Sequence, residues 1–226
     1  MTFADNVIAF YKSLPEKLKL PAGIELIYPY KDVEVLQNIQ SFYTQFYSDN
    51  NPRIYLWGIN PGRFGAGVTG IPFTDPIQLE KCCNIPNNFD KKPELSSIFI
   101  YDIVERMGGP AAFYSKYYIS SLCPMGFVKE GKNFNYYDDR DLFKGLKSFM
   151  VESMDRQINF QSYKSRVSFS LGKGTNLKYF KMLNTENAWY DSVIPLPHPR
   201  WVMQYQRRNY EQHLDRVTAK LLGAAG

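Results

Sequence analysis

Two polar side chains sit where this chain is stiffest. Asn60 lies inside Gly58-Ile-Asn-Pro-Gly-Arg-Phe-Gly-Ala-Gly-Val-Thr-Gly-Ile-Pro-Phe73, a glycine-dense segment that follows the apolar run Ile54-Tyr-Leu-Trp57. Glycines let a backbone approach a ligand closely and adopt positive φ, while Pro61 and Pro72 restrict the segment on either side. It therefore reads as a rigid cradle; a plain turn needs one or two such residues. His198, one of only 2 histidines, sits in Pro195-Leu-Pro-His-Pro-Arg200, where the prolines would hold an imidazole against a bound group. An imidazole so held suits proton transfer or charge stabilisation. His213 lies in a charged C-terminal helical pattern and reads as a solvated or packing residue.

Two further stretches carry basic chemistry. Leu171-Gly-Lys-Gly-Thr-Asn176 resembles a phosphate loop but fails as a Walker motif: Val167 stands where its first glycine belongs, and Lys173 is followed by Gly174. Such a loop either caps a helix start or meets a phosphate through its backbone. The run from Arg200 to Arg208 interleaves basic residues with Trp201 and Tyr205 around Gln204, which suits phosphate neutralisation and wedging between bases, or equally an amphipathic helix start. The 3 cysteines, Cys82, Cys83 and Cys123, have no metal-ligand spacing and read as reduced structural thiols.

The elements that must position these residues follow from periodicity. Apolar Val7, Ile8, Phe10, Tyr11 and Leu14 predict a helix opening at Thr2 or Asp5 and ending near Pro15, and Val33 to Phe46 repeats the pattern. Strands are expected at 53–59, 117–122, 166–171 and 192–196. Helices are expected at 76–83, 96–107, 141–158, 175–183 and 206–222. This alternation predicts an α/β fold with a parallel sheet, and four strand-to-helix junctions on one side of it: 60–73, 123–137, 172–176 and 197–205.

At 226 residues without a Ser/Gly/Pro-rich linker, the reading is one domain over 1–226, with 1–52 as its helical N-terminal part. A net charge of +5 favours a polyanionic partner only weakly. No apolar stretch approaches the length of a membrane span, and the chain reads as a cytoplasmic protein that is not secreted, associated with the nucleoid if bacterial.

Taken together, Gly58-Ile-Asn-Pro-Gly-Arg-Phe-Gly65, Thr69-Gly-Ile-Pro-Phe73 and His198-Pro resemble the single-strand-selective monofunctional uracil-DNA glycosylases, a family within the uracil-DNA glycosylase superfamily. Its first motif reads G-M-N-P-G-P-F-G with T-G-V-P-F, and its second begins H-P. Leu122-Cys-Pro-Met125 is similar to the family's N-L-C-P-L element, and Gly131-Lys-Asn133 to the G-R-N that follows. The likeness spans roughly 53–220, and a divergent bacterial-type clade is implied.

The resemblance implies a three-layer α/β/α sandwich around a mainly parallel four-stranded sheet. It further implies a monomer that flips damaged bases from DNA, single- or double-stranded, and hydrolyses the N-glycosidic bond with neither metal nor cofactor. Asn60 would position the attacking water and His198 would stabilise charge on the departing base. Gly58, Ile59, Pro61, Gly62, Phe64 and Phe73 would form the base site, Phe73 by stacking and Gly62 through its amide. Arg63, Lys132, Asn133, Lys173, Gly174, Arg200, Trp201 and Gln204 would contact DNA. An amide is no useful base near neutral pH, so leaving-group stabilisation would carry much of the barrier. No lysine lies within 60–73 to form a Schiff base, which argues for monofunctionality.

Two departures bear on substrate. Ser121 stands where the family has the Asn of N-L-C-P, and a smaller, less strict hydroxyl admits xanthine, hypoxanthine or oxidised uracils beside uracil. After His198 the family's S-P-R-N-P gives way to Arg-Trp-Val-Met-Gln-Tyr, which leaves the wedge residue open. Two rivals stay open at this point: a catalytically weak nucleic-acid binding module, and an enzyme of free bases or nucleosides.

Overall fold

The computed structural model describes residues 1–163 and 165–225. The chain runs α1 (Phe3–Lys12), β1 (Ile24–Ile27), α2 (Val33–Tyr47), β2 (Ile54–Gly58), α3 (Ala66–Thr69), α4 (Pro76–Lys81), α5 (Leu95–Arg106), α6 (Gly109–Tyr114) and β3 (Tyr117–Ser121). It continues through β4 (Gly126–Lys129), β5 (Lys132–Phe134), α7 (Arg140–Ile158), β6 (Val167–Leu171), α8 (Thr175–Asn187), β7 (Ser192–Leu196), α9 (Pro199–Tyr205) and α10 (Tyr210–Ala225).

Local chemistry accounts for the helix starts. Thr2 opens α1 with a reciprocal capping box: its hydroxyl accepts the Asp5 N–H at 3.2 Å, and the Asp5 carboxylate accepts the Thr2 N–H at 2.7 Å. Asp75 caps α4 through the N–H groups of Ile77 and Gln78, both at 2.9 Å, and Pro76 occupies the first turn where no donor is missed.

The central sheet has the order β3-β2-β6-β7 with every neighbour parallel, as the alternation of elements predicted. Its strands β2, β3 and β6 are almost wholly buried on both faces, whereas the edge strand β7 is buried only at Leu196. Tyr55, Trp57 and Tyr118 face one layer. There Phe3 of α1 lies edge-on to Tyr118, Tyr47 of α2 does likewise, the Tyr55 hydroxyl donates to the Gln157 carbonyl of α7, and Phe180 of α8 meets Trp57. Tyr117 faces the other layer, where its hydroxyl donates to Leu221 O of α10 at 2.8 Å, and α5 packs on α9 and α10. The result is the three-layer α/β/α arrangement.

Three features depart from the sequence expectations. A second sheet, antiparallel with the order β1-β4-β5, was not foreseen. Its β4–β5 hairpin turns on Glu130 and Gly131, both with positive φ (51° and 70°), the geometry of a tight two-residue hairpin. The expected helix 206–222 is α10, but the expected junction 197–205 holds a helix of its own. Pro199 starts α9 immediately after His198, and the chain leaves that helix at Gln206 before α10 begins at Tyr210. Gly108 and Gly109 end α5 as expected, yet α6 follows at once with Pro110 in its first turn.

Candidate active site

The site is assembled at the carboxyl ends of the central strands. β2 ends at Gly58 because nothing larger fits: a Cβ there would lie 2.8 and 3.0 Å from Phe73 ring atoms. Phe73 itself has φ of 53°, a strained value for a side-chain-bearing residue that costs on the order of 1–3 kcal/mol. Its neighbours hold it there. The Thr69 hydroxyl donates to Thr74 O at 2.6 Å, and the Thr74 hydroxyl is bonded to Tyr101 at 3.0 Å. The strain turns the Phe73 ring back across the strand end, where it walls a cavity.

The cradle is locked from behind. Gly67 N–H donates to Gly62 O at 2.8 Å, and a Cβ on Gly126 of β4 would stand 2.4 Å from Pro61 O. The second sheet thus presses directly on the Asn60 loop. Gly126→Ala is expected to destabilise the fold by about 1–3 kcal/mol through overpacking against backbone, and to slow the reaction by displacing Pro61. Denaturant unfolding with parallel rate measurement checks both.

Asn60 is held by its amide. Its Nδ2 donates to Pro61 O and Phe134 O, each at 3.3 Å, and its Oδ1 accepts the Tyr136 N–H at 3.2 Å. These contacts fix which way the amide faces and leave Oδ1 a second lone pair. Asn176, at the start of α8, ties the same region together: it accepts the Tyr136 hydroxyl at 2.9 Å and donates to Gly58 O at 3.4 Å.

His198 is the N-cap of α9, and its Nδ1 accepts the Arg200 N–H at 3.2 Å. That bond consumes the lone pair of Nδ1, so the proton of the neutral ring sits on Nε2. Burial, with the nearby Arg200 charge, pulls the pKa down to about 4, and the ring is neutral throughout the physiological range. A neutral ring with its proton on Nε2 is a hydrogen-bond donor, and His198 lines a cavity together with Asn60.

Asn60, Gly62, Phe73, Glu94, His198 and Arg200 share a cavity of about 220 Å³, to which Ile59 and Pro61 also contribute wall. Ile59 and His198 border a second cavity of about 380 Å³ with Tyr137, Lys173, Gly174, Asn176 and Trp201. The four junctions expected on one side of the sheet therefore do meet. Among the described residues no group of three or more His, Cys, Asp or Glu side chains is arranged to hold a metal ion.

The remaining sequence candidates fall in different places. Phe64 lies outside both cavities, 42% exposed, with the Arg63 guanidinium 4.5 Å above its ring. Ser121 is buried at the end of β3 in register with Gly58, and it borders neither cavity. Asn133 lines the Asn60 cavity while its Oδ1 accepts the Arg63 N–H at 3.1 Å, and Lys132 is exposed beside it on β5. Trp201 is 43% exposed and packs edge-on to His213, which is thus a packing partner. Gln204 is exposed and outside both cavities.

Glu94 was missed, because a lone acid before an apolar helix carries no sequence signal. Only the fold brings it under the cradle, so close that a Cβ on Gly65 would lie 2.0 Å from its Oε2. Asn135, also on the cavity wall, and Asn176 were likewise invisible as separate residues.

Comparison with known proteins agrees with the fold. Residues 44–222 match the family described as the uracil DNA glycosylase superfamily. The crystal structure of wild-type Pedobacter heparinus SMUG2 is similar with a TM-score of 0.94 at 38% identity, over 99% of this chain and 98% of that one. The likeness to that structure takes in α1 and the first part of α2, which lie ahead of the family match. A family match over most of the chain and a near-complete structural likeness lead to one assignment: the chain belongs to the uracil DNA glycosylase superfamily.

Proposed function

We propose that this DNA glycosylase is monofunctional and removes uracil, xanthine and other deaminated or oxidised bases after flipping them out of DNA. The observation that carries the reading is a single cavity bordered by Asn60, Phe73 and His198. A flipped base stacks on Phe73, its departing electron pair is met by the His198 Nε2–H, and water held on the free lone pair of Asn60 Oδ1 adds to the sugar. Electrostatic stabilisation of the leaving base is then the largest contribution to rate. Extrusion costs a few kcal/mol and is cheapest from single strands and mismatches, so both single- and double-stranded DNA serve as substrate.

Two observations support the finer points. No lysine borders the Asn60 cavity among the described residues, which leaves no amine for Schiff-base chemistry there. Ser120 is bonded to Gln157 Oε1 at 2.5 Å, whereas the Ser121 hydroxyl has no hydrogen-bond partner among the described residues. Although Ser121 borders neither cavity, it lies at the strand end in register with Gly58, where a short hydroxyl would constrain a base edge less strictly than a fixed amide.

The test is a panel of oligonucleotides carrying uracil, xanthine, hypoxanthine or 5-hydroxymethyluracil. Abasic product revealed only after alkali is expected for uracil and xanthine; strand scission without alkali would refute monofunctionality, and no product from any base would refute the enzyme reading. Ser121→Asn is expected to lower xanthine excision about ten-fold or more relative to uracil, the scale at which pocket contacts discriminate. An unchanged ratio would remove Ser121 from base selection.

A further inference from the structure

The hydrolysis leaves one proton unaccounted for. Water adding to the sugar must lose a proton, and the amide of Asn60 cannot take it near neutral pH. Among the described residues around that cavity, only His198 and Glu94 have side chains able to accept a proton in this range. His198 is already committed, since its Nδ1 accepts the Arg200 N–H and its Nε2 carries the ring proton toward the base.

We propose that Glu94 is a further catalytic residue, the general base that accepts the proton of the water held by Asn60. This rests on the glycosylase reading. Three observations converge on it. The side chain borders the same cavity as Asn60, and the residue is anchored through its backbone, whose N–H donates to Asp75 Oδ2 at 2.8 Å. Its own carboxylate, half-buried, makes no hydrogen bond or ion pair with the described residues, which leaves its oxygens free to accept from a bound water. Gly65, lacking a side chain, leaves the space that the carboxylate occupies.

The step balances without a co-reactant. The glycosidic C–N bond breaks and its electron pair leaves with the base, which the His198 N–H stabilises. Water oxygen bonds to the sugar carbon, and its proton passes to the Glu94 carboxylate. That proton then returns to solvent or to the expelled base.

The charged groups around Glu94 set its working range. Burial and Asp75, at the start of α4, push its pKa up to about 7, while Arg200 of α9 opposes them. His198, the other titratable neighbour, is neutral here. A base with a pKa near the operating pH is the effective kind.

Single-turnover excision from a uracil-containing oligonucleotide, followed from pH 5.5 to 9, tests the proposal. The wild-type rate is expected to rise with pH through about 7 and then level, as Glu94 loses its proton. Glu94→Gln is expected to be slower by about a hundred-fold at pH 8 and to lose that rise. Wild-type rates in Glu94→Gln, or a uniform loss that keeps the rise, would overturn the role. Should Glu94→Gln fail to fold, Arg200→Gln decides: removing the cation is expected to move the midpoint to higher pH, and an unmoved midpoint overturns the proposal. A wild-type protein inactive on every base would sink the glycosylase reading and this one with it; an active wild type with an indifferent Glu94→Gln would sink this one alone.

Discussion

His198→Ala is expected to lower single-turnover excision of uracil by about 10²–10³-fold, the scale of losing one donor aimed at developing negative charge. The argument rests on the proton's position. Nδ1 is occupied by the Arg200 N–H, so Nε2 is the donor, and the pKa of about 4 keeps that donor neutral. The same residue caps α9, and removing a cap costs about 0.5–2 kcal/mol, so alanine alone would mix two effects. His198→Asn separates them: asparagine caps well but cannot reach as the ring does. It is expected to keep stability and lose the rate, and a His198→Asn enzyme at full rate would refute the role.

A linked pH effect follows from the same burial. Above pH 6.5 the ring is neutral in both folded and unfolded chains. As pH falls from 6.5 toward about 4 the unfolded chain gains a proton that the folded one refuses, so stability declines across that window. His198→Asn is expected to flatten this part of the stability profile.

Asn60→Ala is the second large effect, expected to slow excision by about 10²-fold or more through loss of an oriented water. It also leaves the buried Tyr136 N–H without its partner, at about 1–3 kcal/mol. Asn60→Asp distinguishes orientation from mere volume. The carboxylate restores an acceptor for Tyr136 N–H but sets its other oxygen against Pro61 O and Phe134 O, where Nδ2 now donates. It is expected to rescue little at neutral pH. Single-turnover rates with calorimetric melting for both variants check this, and full activity in either would refute the assigned role.

Much of the scaffold was legible because its signals are local. The four central strands are apolar runs bounded by turn residues, and each lies within about two residues of its expected span. Asn60 and His198 stood out because stiff, glycine- or proline-rich surroundings are rare. The second sheet was lost to brevity: β4 and β5 have 4 and 3 residues, too few for alternation to register, although Glu130-Gly131 offered a hairpin signal. α9 was read as part of the junction 197–205 despite Pro199, whose place after His198 marked a helix start. Glu94 had no signal at all. Its environment is made by Gly65, Asp75 and Arg200, three positions that only folding brings together.

The bond between His198 Nδ1 and the Arg200 N–H bears on how this protein tolerates mutation. In many enzymes a neighbouring carboxylate selects the tautomer of an active histidine, and one substitution there can reverse the choice. Here the selector is a peptide group, which every residue type except one supplies. The tautomer is therefore buffered: a change of side chain at 200 alters the charge felt by His198 and Glu94, yet the ring keeps its proton on the same nitrogen. Only proline, which has no N–H to give, would break that insulation.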